Sequence, residues 1–298
     1  MVNYPQLSAS QQQNLPKLKQ LTPLPARFDD STHQLWHCDT IDGEMMLKVC
    51  DVDNVKQSSF WQGMALLFNA DLPAQLGEFS AVYSVINEHS PLRIPEYIAS
   101  SSNVISPQKQ AFILNQFIAG SMIETHDIDD AMVIDLAQHM AQLHQHSTPI
   151  WGTLLAPKYR ADQWSQRLQY TLKTLAENQA APKVLLADAL AQCATIEMTH
   201  FVPIMLDLRW DQFLHQAGKL TTLVDLDAFV YAPKALELVL LDYILTVDQR
   251  SIFMAEYHTH HEAVDLSSVR TAYRLLLFLM NVLGERDLDV WMAQPFTY

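Results

Sequence analysis

The sequence predicts an α+β chain in two lobes, β-rich over residues 1–118 and mainly helical over residues 119–298. Three observations carry this. Two β-compatible runs, Leu35–Thr40 and Met45–Val49, flank Ile41-Asp42-Gly43-Glu44, and an Asp-Gly pair between such runs is a strong local hairpin signal. The composition shifts near Ala119-Gly120, after which apolar residues recur at helical spacing, most clearly in Ala131–His144. Later, Val202–Leu206 and Leu220–Val224 each stop at an aspartate, Asp207 and Asp225, with Gly218 in the polar turn between them. These read as two strand ends that bring two carboxylates to one edge of a small sheet.

In chain order, residues 1–24 are a lead-in rich in Gln, Pro and Ser, with a helix-compatible piece at Gln11–Leu21. Lys48 sits between Leu47 and Val49 in the second hairpin strand, a position that suits a lysine whose stem packs while its amine reaches an edge. Ser58–Leu67 and Gly77–Asn87 have helical spacing. In the second, Phe79, Val82, Tyr83 and Ile86 form one apolar stripe, and Glu78 lies in its first turn. Pro91 and Pro95 end that helix before an extended piece, Ile94–Ala99, and Ala111–Ile118 is strand-like. Beyond the shift, helices are expected at Ala131–His144, Asp162–Asn178, Lys183–Thr199, Ala235–Leu245 and Val269–Leu283. His139 and His144 are five apart and lack the intervening glutamate of a zinc-protease helix, so they read as ordinary helix histidines. His258, His260, His261 and Glu262 read as a solvated interhelical segment, because adjacent positions point apart on a helix.

The formal charge of −14 argues against binding nucleic acid or an anionic membrane surface, both of which need basic patches. A small cationic or polyhydroxylated substrate suits it better. Three cysteines, Cys38, Cys50 and Cys193, form no CxxC pair and no zinc spacing, which predicts a reduced cytoplasmic setting. The first residues lack a basic segment followed by an apolar run, and the apolar stretches Ala235–Leu241 and Leu275–Met280 are too short to span a bilayer, so a soluble, unprocessed protein is expected.

Two carboxylates with an amide, Gln212, one loop away are the oxygen donors that a hard cation such as magnesium takes alongside waters and substrate phosphates. A plain hairpin with acidic ends explains the same residues. The wider order of motifs resembles the aminoglycoside phosphotransferase and choline kinase superfamily, whose members carry H-G-D-x-x-x-x-N, then I-D-[FW]-[DE], then D-P-x-x-D-[LI]. Met205-Leu206-Asp207-Leu208-Arg209-Trp210-Asp211-Gln212 stands at the first, Val224-Asp225-Leu226-Asp227 at the second, and Ala232-Pro233-Lys234-Ala235-Leu236-Glu237-Leu238 at the third. Leu136-Ala137 to Leu143-His144, followed by Trp151-Gly152, also resembles the LA-x-LH…G segment of fructosamine-kinase-like members.

That resemblance implies a bilobal protein-kinase-like fold and an ATP- and magnesium-dependent small-molecule kinase. It implies that Asp207 orients or deprotonates the acceptor hydroxyl, that Asp225 with Gln212 binds the metal, and that Lys48 contacts the α and β phosphates. Glu78 would be the ion-pair partner of Lys48, with Glu88 as alternative. The strand Asn115–Ile118 would hold adenine through the backbone of Gln116, Phe117 and Ile118. The chain also departs from the pattern. Met205 and Leu206 replace the histidine and glycine of the first motif, and Gln212 is one methylene longer than asparagine. The phosphate-covering loop falls near Phe28–Gln34, which has no glycine and two aspartates, Asp29 and Asp30. These departures keep open a second reading, a catalytically impaired member that binds a ligand or partner. Asp162, Asp211, Glu237 and Asp242 suit a cationic substrate, or are surface and capping carboxylates. The acceptor-binding residues are expected around residues 155–200 and in the C-terminal helices.

Overall fold

The computed structural model describes residues 2–26, 31–102, 110–179 and 181–296. An antiparallel five-stranded sheet comes first, in the order β1-β2-β3-β5-β4, from β1 (Leu18–Leu24), β2 (His33–Thr40), β3 (Gly43–Cys50), β4 (Tyr97–Ser101) and β5 (Phe112–Gln116). The Asp-Gly turn joins β2 to β3. Gly43 takes φ +120 there, where a side chain would be strained, and the Thr40 hydroxyl donates to its carbonyl at 2.7 Å.

Alternation along the strands gives the sheet two faces. Cys38, Met45, Leu47, Val49, Phe112 and Leu114 form an outer core, covered by Tyr4 and Leu7 of the lead-in. Lys48 and Cys50 face the other way. The helix expected at Gln11–Leu21 is replaced by a single turn, α1 (Ala9–Gln12), and by β1. Pro16 stops helix growth, and the open hydrogen-bonding edge of β2 takes up the following residues. Pro23 is tolerated because β1 is the edge strand.

Between β3 and β4 lie α2 (Val52–Gln57), α3 (Ser59–Phe68), α4 (Leu72–Gln75) and α5 (Ser80–His89). Asp51 and Ser58 cap α2 and α3 through their side-chain oxygens. A 3₁₀ turn over Leu76–Glu78 precedes α5, so Glu78 stands outside the helix proper.

The helical part holds α6 (Asp130–His144), α7 (Trp164–Gln179), α8 (Lys183–Thr195), α9 (Lys234–Ile244), α10 (Val247–Tyr257), α11 (Arg270–Leu279) and α12 (Leu288–Met292). Two small sheets complete it. One has the order β11-β10-β6, from β6 (Ser121–Met122), β10 (Phe213–Gln216) and β11 (Lys219–Leu223). The other has the order β8-β7-β12-β9, from β7 (Ile150–Thr153), β8 (Tyr159–Arg160), β9 (Val202–Met205) and β12 (Phe229–Ala232). The two apolar runs that end at Asp207 and Asp225 therefore belong to different sheets, and the hairpin partner of β11 is β10, not β9. No helix among the described residues is long and apolar enough to cross a membrane.

Although α3 precedes the composition shift, it packs into the helical part. Phe68 meets Trp151 edge-on with ring centroids 6.1 Å apart, and Gly63 approaches Met280 so closely that a Cβ there would overlap the Met280 Cγ. Gly63→Ala would gain about 1 kcal/mol of helix propensity. Overpacking at a buried contact costs about 1–3 kcal/mol, so a net loss of stability is expected in urea unfolding.

Several polar residues read as surface groups are inside. Asp242 is fully buried among Arg250 (3.1 Å), Arg274 (2.8 Å) and Arg270 (3.4 Å), and so is neither a surface carboxylate nor a substrate contact. His258 and His260 are exposed as expected, whereas His261 folds back to place Nε2 2.8 Å from the Ala141 carbonyl and stacks on Tyr257. His139 is buried on α6, with Nδ1 3.0 Å from the Ser90 hydroxyl. Burial, helped by nearby His144, lowers its pKa from 6.5 to about 3. Between those values the unfolded chain binds a proton that the folded chain refuses. His139 therefore lowers stability as pH falls from 6.5 toward 3, by up to about 1.4 kcal/mol per pH unit. In His139→Asn, unfolding free energy plotted against pH should fall less steeply over that window; an unchanged slope would show that His139 does not resist protonation.

Candidate active site

The site forms where the face of the five-stranded sheet that carries Lys48 meets the ends of β9 and β11. Lys48 lies opposite Leu35 across the β2–β3 ladder, so the pleat turns both away from the outer core. Its Nζ is 3.1 Å from Oδ2 of Asp225, which follows β11. The amine is almost fully buried, and the carboxylate keeps about a quarter of its surface open. Burial alone would lower the lysine pKa, but Asp225 above all, then Asp227, hold it above its usual value. Burial likewise opposes the charged form of Asp225, and Lys48 reverses this, keeping the carboxyl below its usual range.

Asp207 enters from the other sheet. Phe229 of β12 pairs with Met205 of β9, the Leu206 amide donates to the Ala228 carbonyl, and the Val224 amide donates to the Gln212 carbonyl at 2.9 Å. These backbone bonds hold the loop after β9 against the Asp225 segment, which places both aspartates in one cleft. Arg209 grips Asp207 with Nε at 3.1 Å and Nη2 at 3.2 Å, and the Gln212 amide donates to it at 3.0 Å. Burial, with the negative charges of Asp225 and Asp211, pushes Asp207 up to about 7 against the pull of Arg209. Asp227 is pushed up to about 8 by burial and by Asp225.

Among the residues singled out by sequence, the structure thus gathers Lys48, Asp207, Asp225 and Gln212. Gln212 is aimed at Asp207, and its amide NH₂ is the group that touches it. Glu78 is not brought to Lys48. It is exposed in its 3₁₀ turn, and Glu88 is exposed at the far end of α5. The α5 residue that lies near Lys48 is Tyr83, a member of the apolar stripe, whose un-ionised hydroxyl accepts a hydrogen bond from Asn115 Nδ2 at 2.7 Å. At the end of β5, the Gln116 amide donates to Glu96 and the Phe117 amide to Glu44, while no such backbone bond occupies the Ile118 amide among the described residues. Phe28, Asp29 and Asp30 of the phosphate-covering loop lie outside the described residues.

Sequence reading missed the support beneath the loop. Glu237 on α9 is buried, accepts from the Met205 amide at 2.7 Å with Oε1, and lies 2.8 Å from His144 Nε2 with Oε2. His144 Nδ1 meets the Tyr257 hydroxyl at 2.7 Å. Glu237 is therefore neither a surface carboxylate nor a substrate contact, and His144 is more than an ordinary helix residue. The signal was present in their motif positions, but spacing alone cannot pair residues 93 apart in the chain. Met205 and Leu206 are buried in the main core, which explains apolar residues there. Removing Glu237 leaves the Met205 amide and His144 Nε2 unpaired in the interior, and each buried group so stranded costs about 1–3 kcal/mol. Glu237→Ala should lose at least about 2 kcal/mol in urea unfolding at unchanged m-value, and a loss under about 1 kcal/mol would show that the network does not support the fold.

With this geometry in place, residues 21–274 match the model of the phosphotransferase enzyme family. The chain belongs to that family. No curated protein matches it by sequence. Among solved structures, it is similar to the macrolide 2'-phosphotransferase MphH of Brachybacterium faecium (11% identity, 91% of this chain and 95% of that chain, TM-score 0.56). It is also similar to a streptomycin–ATP complex of APH(2")-IIa (14%, 97% and 95%, 0.58) and to ADP-bound aminoglycoside phosphotransferase APH(2'')-Ib (14%, 93% and 93%, 0.58). At such identities the likeness is one of fold: the phosphotransferase fold, with a β-rich first lobe and a helical second.

Proposed function

We propose that this phosphotransferase is an ATP- and magnesium-dependent kinase that phosphorylates a hydroxyl of a small molecule. The observation that carries the reading is the convergence of Lys48, Asp225 and Asp207 in one cleft from three separate segments. Family membership and the nucleotides named with similar structures support it.

Phosphoryl transfer asks the protein chiefly to position groups and neutralise phosphate charge. Lys48 supplies a fixed positive charge for the phosphates of ATP, for which Asp225 must release it. The donor set fits magnesium: Asp225 and the side-chain oxygen of Gln212 are hard ligands, and a cation that arrives with phosphates and waters needs only one or two carboxylates. No cluster of three or more His, Cys, Asp or Glu side chains suited to a metal occurs among the described residues. Magnesium when bound would neutralise charge on the phosphates. Asp207, partly exposed and held by Arg209 and Gln212, is placed to orient the acceptor hydroxyl and take its proton. Gln116, Phe117 and Ile118 line the strand end assigned to adenine, with the Ile118 amide left to donate.

An open cavity of about 710 Å³ borders the Asp207 loop and is lined by Ile123, Glu124, Thr125, His126, Trp210 and Asp211. Its carboxylates and aromatic face support a cationic or polyhydroxylated acceptor. The reading as a binding protein without turnover draws on the departures at Met205, Leu206 and the glycine-free loop, and on the Gln212 amide pointing at Asp207.

ATP or ADP with magnesium should raise the melting temperature, a ligand at a hundred times its Kd being worth about 2.7 kcal/mol. Asp225→Ala should abolish the magnesium-dependent part of that shift. If nucleotide shifts neither protein, the nucleotide reading fails. Against a panel of hydroxylated metabolites, ATP turnover by Asp207→Ala should be about 10²–10⁴-fold below that of the unaltered chain, with nucleotide binding retained; binding without turnover of any acceptor would favour the non-catalytic reading.

A further inference from the structure

We propose that His33 is a second phosphate-binding residue of the nucleotide cleft, acting beside Lys48 through its Nε2–H. The inference rests on the nucleotide reading given above and names a residue that the family motifs do not.

His33 is the first residue of β2 and lies opposite Cys50 of β3, two positions along the ladder from the Leu35–Lys48 pair. Cross-strand partners share a face and the strand period is two, so the His33 and Lys48 side chains project from one face at diagonal positions, within reach of a common ligand. Both end at the same short segment. Lys48 Nζ is 3.1 Å from Asp225 Oδ2, and His33 Nδ1 is 3.5 Å from Asp227 Oδ2. Two nitrogen groups thus face two carboxylates where phosphates and a cation would lie between them.

The imidazole is about nine-tenths buried, and its Nε2 has no hydrogen-bond partner among the described residues. An unpaired buried donor costs about 1–3 kcal/mol, and such groups in native proteins are paired as a rule. The Thr32 hydroxyl lies 3.4 Å from Nδ1, and in the assigned tautomer that hydroxyl donates to Nδ1 and the ring proton is on Nε2. Lys48 and Asp225 are the charges that act on the ring most strongly after burial. A phosphate oxygen entering beside Lys48 would satisfy both the lysine and the imidazole.

The loop before His33 makes such a donor useful. A phosphate-covering loop ordinarily brings backbone amides close to the phosphates because glycine permits the approach, and residues 25–32 contain no glycine. The described end of the loop is tied to α2: Asn54 Nδ2 donates to the Ser31 carbonyl and the Asp51 amide to the Thr32 carbonyl. These bonds fix the start of β2 and aim His33 into the cleft.

Calorimetric titration of the full chain with ADP, ATP and adenosine, each with magnesium, tests the assignment. Loss of one hydrogen bond to a charged group should weaken ADP and ATP binding to His33→Ala by about tenfold or more while leaving adenosine binding unchanged. His33→Asn, which retains a side-chain N–H, should recover part of the loss. Equal weakening of adenosine would show a general disturbance of the cleft and overturn the assignment. Unchanged or tighter ADP binding would overturn it too, the latter by showing that the His33–Asp227 contact only bars the cleft. If the unaltered protein binds none of the three, the nucleotide reading itself has failed. If it binds them all and the His33 variants bind them as tightly as the unaltered chain does, that reading stands without His33.

Discussion

The ion pair between Lys48 and Asp225 is the contact on which the functional geometry depends. One partner comes from a sheet built of residues 18–116 and the other from the end of a hairpin in the helical part. A lysine buried this deeply is costly to desolvate, and the arrangement is tolerable only because the carboxylate is within hydrogen-bonding distance and Asp227 lies near. The pair therefore fixes how the two parts of the chain meet at the cleft.

Beneath the cleft, a second buried network sets the height of the Asp207 loop. Glu237 accepts from the Met205 amide and from His144, and Tyr257 closes the far side, so α6, α9 and α10 converge on the last residue of β9. The ladder between β9 and β12 then carries that position across to the Asp225 segment. Asp207 and Asp225 are neighbours because two sheets and three helices hold their backbones. This explains how Met205 and Leu206 can be apolar: the loop is held by the Met205 amide, which any residue supplies, and their side chains serve the core.

Much of this was legible in the chain. The Asp-Gly hairpin, the helices at 130–144 and 164–179, and the order of Lys48, Asp207 and Asp225 follow from local periodicity and motif spacing. Other features were not, and for definite reasons. Residues 18–21 are strand because an edge was open to them, whereas by themselves they suit a helix equally well. Tyr83 reads as one more apolar residue of a stripe, since the pattern does not reveal that its hydroxyl reaches Asn115 beside Lys48. Glu78 has the charge to pair with Lys48, but the 3₁₀ turn ahead of α5 leaves it in solvent. Asp242 and Glu237 look like surface carboxylates until their arginine and histidine partners, far away in sequence, are seen.

By itself the sequence determined the two-part α+β organisation, the family, and the residue types available for phosphate and metal chemistry, because these depend on periodicity and on short, ordered motifs. The tertiary structure alone decided which groups meet. It paired Lys48 with Asp225 and not Glu78, turned Gln212 toward Asp207, buried Glu237 against His144, and set His33 beside Lys48 on one face of the sheet. Those choices rest on strand register, on sheet membership and on the low tolerance of a buried site for unpaired charge. None of these is a local property of the chain.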